Sequence, residues 1–162
     1  MKVEVSCPRD VTIDCNVLKH SSNTGVPQFE SSVRVMMWVA QSEHLLWVLD
    51  DQGKDAPNPS TSLLHSEYVK HVDPQSLAEA TLAHYFQSGR VVFSRRPDQK
   101  TLKVLQKLIP HNKQDRAVLG AAIGAQDKVL VSNDWQDFPQ DVRSKANVLF
   151  GVLIIDSDEA VA

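Results

Sequence analysis

The chain has 162 residues, two cysteines and a formal net charge of −3. This length predicts one domain over residues 1–162, with enough core to need no disulfide or structural metal. No apolar stretch like that of a secretory signal follows Met1, and the longest apolar run, residues 148–155, is too short to cross a membrane. We therefore expect a protein of the reducing cytoplasm without a membrane partner.

Short apolar runs alternate with amphipathic segments along the chain. Apolar runs typical of buried strands lie at residues 11–13, 45–49, 91–93, 129–131 and 148–155. Helical patterns lie at residues 32–43 with Ser32 as the cap, 61–69, 75–87, 98–109 with Asp98 as the cap, 115–125 and 139–146. Strands that are apolar on both faces and alternate with helices predict an α/β fold, with a parallel sheet covered on both sides.

Acidic residues recur where the predicted strands end. Asp14 follows the first strand, Asp134 follows the fourth, and Asp137 lies one turn later. Asp115 stands at the start of the helix that precedes the fourth strand. Ligands of parallel sheets bind beyond the carboxyl ends of the strands, and converging carboxylates repel each other unless a cation such as Mg²⁺ or Mn²⁺ lies between them. The acids thus indicate a metal site for phosphodiester hydrolysis. The alternative is that the acids at the strand ends are ordinary turn residues and that Asp115 only caps its helix.

Three segments resemble the motifs of PIN domains. Residues 11–18, VTIDCNVL, resemble the opening strand and turn of that family. Asp115 and the VLGAA that begins at Val118 resemble its acid-led helix, and residues 130–138, LVSNDWQDF, resemble its late strand and acid. The motifs stand in the family's order, and the resemblance covers about residues 9–20 and 110–155.

This resemblance implies a three-layer α/β/α sandwich with a central, mostly parallel five-stranded sheet. It also implies a nuclease that depends on Mg²⁺ or Mn²⁺ and hydrolyses single-stranded or structured RNA. Asp14, Asp115 and Asp134 match the catalytic, metal-binding acids of the family, and Asp137 matches a frequent additional metal ligand.

The second acid of the family is expected on a helix in the middle of the chain, where the match is loose. Glu67 follows the second strand within a predicted helix and is our choice for this catalytic, metal-binding role. Asp51 lies at the same rim of the predicted sheet and competes with it, whereas Glu43 falls at the opposite rim. Among supporting residues, Asn16 matches the polar residue beside the first acid, and Ser132 offers a hydroxyl that can hold a carboxylate.

The basic residues are concentrated in one segment, which the net charge of the whole chain does not show. Residues 90–116 carry a formal charge of +6, and the rest of the chain carries −9. Lysines opposite a leucine stripe often form only a solvated helix face, but a basic segment leading to Asp115 would also suit a phosphate backbone. The residues expected to bind nucleic acid are Arg95, Arg96, Lys100, Lys103, Lys107, Lys113 and Arg116.

The sequence leaves several alternatives for the partners and the cellular role. The family includes toxins, which would give the chain an antitoxin protein as partner, and nucleases of other defence or RNA-processing pathways. Its members often form homodimers. A PIN-like domain without cleavage, acting as a nucleic-acid-binding or scaffold module, is the alternative to an enzyme. Trp135 directly follows Asp134 and would either stack on a substrate base or pack against the short helix that follows.

Overall fold

Five parallel strands form one sheet at the centre of the molecule. The computed structural model describes residues 1–52 and 59–162. The strands are β1 (Asp10–Ile13), β2 (Leu46–Asp50), β3 (Val91–Ser94), β4 (Val129–Val131) and β5 (Leu153–Ile155). Their order is β3-β2-β1-β4-β5, and every neighbouring pair is parallel. The prediction of an α/β fold with a central parallel five-stranded sheet in a three-layer sandwich is confirmed.

Helices flank the sheet on both sides. In the described residues they are α1 (Lys2–Ser6), α2 (Cys15–His20), α3 (Phe29–Gln41), α4 (Leu63–His71), α5 (Leu77–Gln87), α6 (Gln99–Leu108), α7 (Lys113–Gly124), α8 (Gln140–Phe150) and α9 (Ser157–Val161). A single 3₁₀ turn, Pro59–Thr61, precedes α4. The short helices α1, α2 and α9 were not predicted, since each spans fewer than two full turns and shows little periodicity. Within the described ranges, no helix combines the length and apolarity needed to cross a membrane.

Polar caps set where two of the predicted helices begin. Asp98 accepts a hydrogen bond from the Thr101 amide at 2.8 Å, which confirms it as the cap of α6. Asn112 caps α7 by accepting a hydrogen bond from the Asp115 amide at 3.1 Å. The interpretation of Asp115 as a helix cap is therefore wrong, and its carboxylate is left for another role. The cap predicted at Ser32 is also wrong, because α3 already begins at Phe29.

The predicted fifth strand, residues 148–155, is too long at its start. Residues 148–150 complete α8, and Gly151 ends this helix with a left-handed φ of 70°. Only Leu153–Ile155 pairs with β4. Val148 and Leu149 are 83% and 55% exposed, so their apolar character does not come from burial in the sheet. This exposure explains why apolarity alone placed the strand too early.

An aromatic cluster fixes α4 against the sheet. Trp47 of β2 is fully buried and lies edge-to-face with Tyr68 and Tyr85, at ring-centroid distances of 5.8 and 5.5 Å. The hydroxyl of Tyr68 accepts a hydrogen bond from Trp47 Nε1 at 3.2 Å and donates one to the Ile13 carbonyl. Because Tyr68 connects α4 to the end of β1, it brings its sequence neighbour Glu67 to the same end of the sheet.

Candidate metal centre

Acidic side chains meet beyond the carboxyl ends of β1 and β4. These strands pair directly although β2 and β3 separate them in the sequence, so the direction of strand succession reverses between them. Such a switch point is where open parallel sheets bind ligands. An open cleft of about 340 Å³ lies there, which we call the acidic cleft. Its acidic lining residues are Asp14, Glu67, Asp115, Asp134 and Asp137.

Asp14 is held by two side-chain donors at the end of β1. Its Oδ2 accepts hydrogen bonds from Ser132 Oγ at 2.6 Å and from Asn16 Nδ2 at 3.1 Å. Burial raises the pKa of Asp14 to about 6, because the charged form loses its hydration, and the hydrogen bond from Ser132 limits this rise. The charge of Asp134 raises the same pKa further. The predicted supporting residues Asn16 and Ser132 therefore both contact the first acid.

Asp115 is a buried acid of the acidic cleft, and its pKa is strongly raised. It is 7% exposed, and its Oδ2 is buried without a hydrogen-bond donor among the described residues. Burial raises the pKa of Asp115 to about 8, together with the adjoining carboxyl of Asp137 and the charges of Asp14 and Asp134. Oxygen atoms of Asp115, Asp134 and Asp137 lie within 4.8 Å of one another. Three carboxylates at this spacing repel each other unless they share a proton or a cation.

The loop after β4 fixes the two later acids. Asp134 Oδ1 accepts hydrogen bonds from the amides of Gln136 at 3.0 Å and Asp137 at 2.9 Å. Asp137 Oδ2 accepts a third, from Asn112 Nδ2 at 3.1 Å. Asn112 therefore caps α7 and holds an acid of the neighbouring loop at the same time. These bonds order both carboxylates from the side of the protein.

Arg143 supports this loop from beneath. Its guanidinium donates hydrogen bonds to the carbonyls of Phe138 at 2.6 Å and Ser132 at 3.1 Å. The ring of Trp135 covers the guanidinium, with its centroid 3.7 Å away, and the indole N–H donates to Asp156 at 3.1 Å. Of the two alternatives for Trp135, the structure therefore shows packing against α8, although the side chain stays 42% exposed.

Glu67 and Asp51 lie in different depressions of the surface. Glu67 lines the acidic cleft with its side chain 25% exposed, and its Oε2 is 3.4 Å from His71 Nε2. Asp51 lines a second pocket beyond β2 and β3, where Thr61 Oγ1 donates a hydrogen bond to it at 3.3 Å. Of the two candidates for the middle acid, Glu67 is therefore the one that lines the same cleft as Asp14 and Asp115.

The second pocket collects most of the basic residues singled out in the sequence. It has a volume of about 380 Å³ and lies between the ends of β2 and β3 and the helices α6 and α7, and we call it the basic pocket. Lys100 and Lys107 are exposed on α6 and are not part of its lining. The cationic residues that line it are Arg95, Arg96, Lys103, Lys113 and Arg116.

Several residues of the site were missed from the sequence. Asn112 and Arg143 hold the acid-bearing loop, and Lys19 and His71 line the acidic cleft beside the carboxylates. Asn112 carried a recognisable signal, since an Asn directly before a first turn that bears an acid is typical of a helix cap. His71 lies four residues after Glu67 on the same helix, a spacing that brings side chains together. Arg143 carried no local signal, because its partners are carbonyls brought together by the tertiary fold.

The donor set of the acidic cleft fits a hard divalent cation. The groups facing one another are carboxylates, and Mg²⁺ and Mn²⁺ prefer oxygen ligands of this kind. The buried Oδ2 of Asp115, which has no donor in the part of the chain that the structure describes, is the atom that such a cation would satisfy. Comparisons with family models, with curated proteins and with solved structures found no significant match for this chain.

Proposed function

We propose that the chain is a PIN-like ribonuclease that depends on Mg²⁺ or Mn²⁺ and hydrolyses phosphodiester bonds of single-stranded or structured RNA. The observation that carries this proposal is the carboxylate of Asp115, buried with one oxygen that receives no hydrogen bond from a described residue. Leaving a charged oxygen buried and unpaired is unfavourable, and a second carboxyl group beside it makes it more so. Asp115, Asp134 and Asp137 could together hold a cation, which would remove both costs.

Each acid has a place in this proposal. Asp14, Glu67, Asp115 and Asp134 are the ligands and catalytic residues, and Asp137 is an additional ligand. When bound, Mg²⁺ or Mn²⁺ supplies Lewis-acid chemistry, since it acidifies water and offsets the charge of a phosphate.

The protein's own contribution is to hold these carboxylates in position. Ser132 and Asn16 orient Asp14 through its Oδ2, and Asn112 orients Asp137. Lys19, at the rim of the acidic cleft, attracts the phosphate backbone.

The test is cleavage of a 5′-labelled single-stranded RNA by the purified protein, with Mn²⁺ and with EDTA. We expect degradation only with Mn²⁺, and its loss in Asp14→Asn and Asp134→Asn while circular dichroism shows that both variants stay folded. Undiminished cleavage in both variants would reject these acids as the site. Absence of both Mn²⁺ binding and cleavage would instead favour the PIN-like scaffold or nucleic-acid-binding module.

The cellular setting follows from the same proposal. The alternatives for the proposed ribonuclease are a toxin held by an antitoxin protein and a nuclease of another defence or RNA-processing pathway, and a chain longer than the compact toxins argues against the first. A small antitoxin-like reading frame beside the gene, together with growth arrest on expression that is relieved by its product, would identify the toxin. Sedimentation of the purified protein tests the homodimer that the resemblance implies.

A further inference from the structure

The basic pocket contains cations that no described residue neutralises. Arg95, Arg96, Lys103 and Lys113 are exposed, and none of them forms an ion pair or side-chain hydrogen bond with a residue that the structure describes. The fifth cation, Arg116, donates instead to the carbonyls of Ile109 at 2.7 Å and Pro110 at 3.2 Å, near the end of α6.

Two carboxylates also line this pocket, and the charge of one is already compensated. Asp50 accepts hydrogen bonds from Ser62 Oγ at 2.7 Å and from the amides of Leu63 at 2.9 Å and Leu64 at 2.8 Å, so it anchors the first turn of α4. Asp51 accepts a hydrogen bond from Thr61 Oγ1. With five cations against two acids among its described lining residues, the pocket favours an anionic ligand.

The buried lining that α6 and α7 contribute to the pocket is apolar, and we call it the apolar floor. Leu102 and Leu105 of α6 and Ala117 of α7 line it, and the amide side chains of Gln99 and Gln106 stand beside them. An apolar surface accepts the face of a base, amides can hydrogen-bond its edge, and Arg or Lys side chains bind its phosphate. A volume of about 380 Å³ falls within the range of small-ligand sites.

Helix α7 separates the basic pocket from the acidic cleft. Lys113 and Arg116 line the pocket, whereas Gln114 and Asp115, next to them in the sequence, line the cleft. The two sites are thus about one helix diameter apart, roughly 10 Å. A strand of a few linked nucleotides spans this distance, but a single nucleotide does not occupy both sites.

We propose that the basic pocket binds one nucleotide of an RNA strand whose scissile phosphate lies in the acidic cleft. This inference rests on the proposed ribonuclease function, and it adds that attraction for the RNA comes from a site that needs no metal. Without a cation the acidic cleft repels a polyanion, so the basic pocket supplies the metal-independent share of binding.

The test is the affinity of a fluorescein-labelled eight-nucleotide single-stranded RNA in EDTA, measured by anisotropy across a series of salt concentrations. We expect Lys103→Glu to weaken RNA binding by about tenfold. We also expect it to reduce the slope of log affinity against log salt concentration by about one, the value for one lost phosphate contact. Lys107→Glu makes the same charge change on the same helix, outside the pocket. Equal losses in the two variants would show general attraction to a basic surface and would overturn the proposal.

Competition with small ligands tests the nucleotide part of the proposal. We expect adenosine 5′-monophosphate to displace the RNA at a lower concentration than ribose 5-phosphate or inorganic phosphate, because the apolar floor binds the base. Equal competition by all three would overturn the role of the floor.

The ribonuclease function and the role of the basic pocket can be rejected independently of each other. If Lys103→Glu loses binding in a protein that never cleaves RNA, the pocket is supported and the ribonuclease function is rejected. If cleavage occurs and Lys103→Glu leaves binding unchanged, the pocket is rejected and the function stands.

Discussion

Ser132 Oγ donates a hydrogen bond of 2.6 Å to Asp14 Oδ2, and this bond joins the carboxyl ends of β1 and β4. Ser132 is fully buried, and its hydroxyl also accepts a hydrogen bond from the Asp134 amide at 3.2 Å. One hydroxyl therefore positions acids that lie 120 residues apart in the chain. The two strands meet at the switch point of the sheet, so the proposed metal site depends on their register.

Replacing Ser132 by Ala removes this connection. We expect Ser132→Ala to weaken Mn²⁺ binding by about 10–100-fold, the usual effect of losing a residue that orients a metal ligand. The free energy of unfolding of the metal-free protein should fall by about 1–3 kcal/mol, because a buried carboxylate loses a donor. Isothermal titration calorimetry measures the first effect, and urea unfolding in EDTA measures the second.

A buried serine away from the acids provides the control. Ser31 Oγ is hydrogen-bonded to Ser157 Oγ at 2.8 Å, so Ser31→Ala also deletes a buried hydroxyl contact. It should lower stability and leave the affinity for Mn²⁺ unchanged. Equal Mn²⁺ affinity in Ser132→Ala and the wild type would contradict a positioning role for Ser132.

The stability of the metal-free protein should depend on pH through its buried acids. The folded-state pKa values of Asp14, about 6, and Asp115, about 8, lie above the usual carboxyl value of about 4. The unfolded chain therefore releases these protons at a lower pH than the folded chain does. Their contribution to stability is fully present below pH ~4 and is lost as pH rises through the two folded-state values.

At the proposed site Mn²⁺ would replace those protons, so the increase in Tm on adding Mn²⁺ should be larger at pH 8 than at pH 5.5. Differential scanning fluorimetry with Mn²⁺ or EDTA measures this increase. Asp115→Asn should raise the Tm of the metal-free protein at pH 8 and should abolish most of the Mn²⁺ effect. An Mn²⁺ effect that is independent of pH would show that these carboxyl groups do not bind the metal.

Glu67 and Asp51 can be distinguished by their metal affinities. Because Glu67 lines the acidic cleft, Glu67→Gln should weaken Mn²⁺ binding at least about tenfold. Asp51→Asn should leave that affinity unchanged, since Asp51 lines the basic pocket. Titration calorimetry at pH 7.5 compares the two variants, and the reverse result would assign the middle acid to Asp51.

The sequence predicts the sheet and most of its acids because both signals are local. A buried parallel strand is a short apolar run, and the residue that ends it stands at the ligand-binding rim, as Asp14 and Asp134 do. The place of Glu67 is different, since it depends on the hydrogen bond from Tyr68 to the Ile13 carbonyl and on the anchoring of α4 by Asp50. Such contacts between distant residues leave no periodic pattern in the sequence.

The sequence also predicts the arrangement of the basic residues only in part. Charge counting locates the segment 90–116, but the choice of Lys103 over Lys107 as a pocket residue follows from how α6 packs beside α7. The exposed apolar residues Val148 and Leu149 led to a strand boundary that is too early, because they belong to a helix that Gly151 ends.

The packing of α7 against the end of β3 is tested at Gly124. A Cβ on Gly124 would overlap Ser94 Oγ and lie 3.3 Å from Ser94 Cβ. We therefore expect Gly124→Ala to lower the free energy of unfolding by about 1–3 kcal/mol, which outweighs the better helix propensity of Ala. The effect is measured by urea unfolding in EDTA.

Ser94 supplies the matching half of a double-mutant cycle. Its Oγ is buried and has no hydrogen-bond partner among the described residues, so Ser94→Ala alone should be nearly neutral. In the Gly124→Ala background, however, Ser94→Ala removes the overlapping atom and should recover part of the lost stability, with a coupling of at least about 0.5 kcal/mol. Strictly additive effects would show that α7 is not in contact with β3 at this point. Because α7 carries Asp115 on one side and Lys113 on the other, a shift of this helix would also weaken Mn²⁺ and RNA binding together.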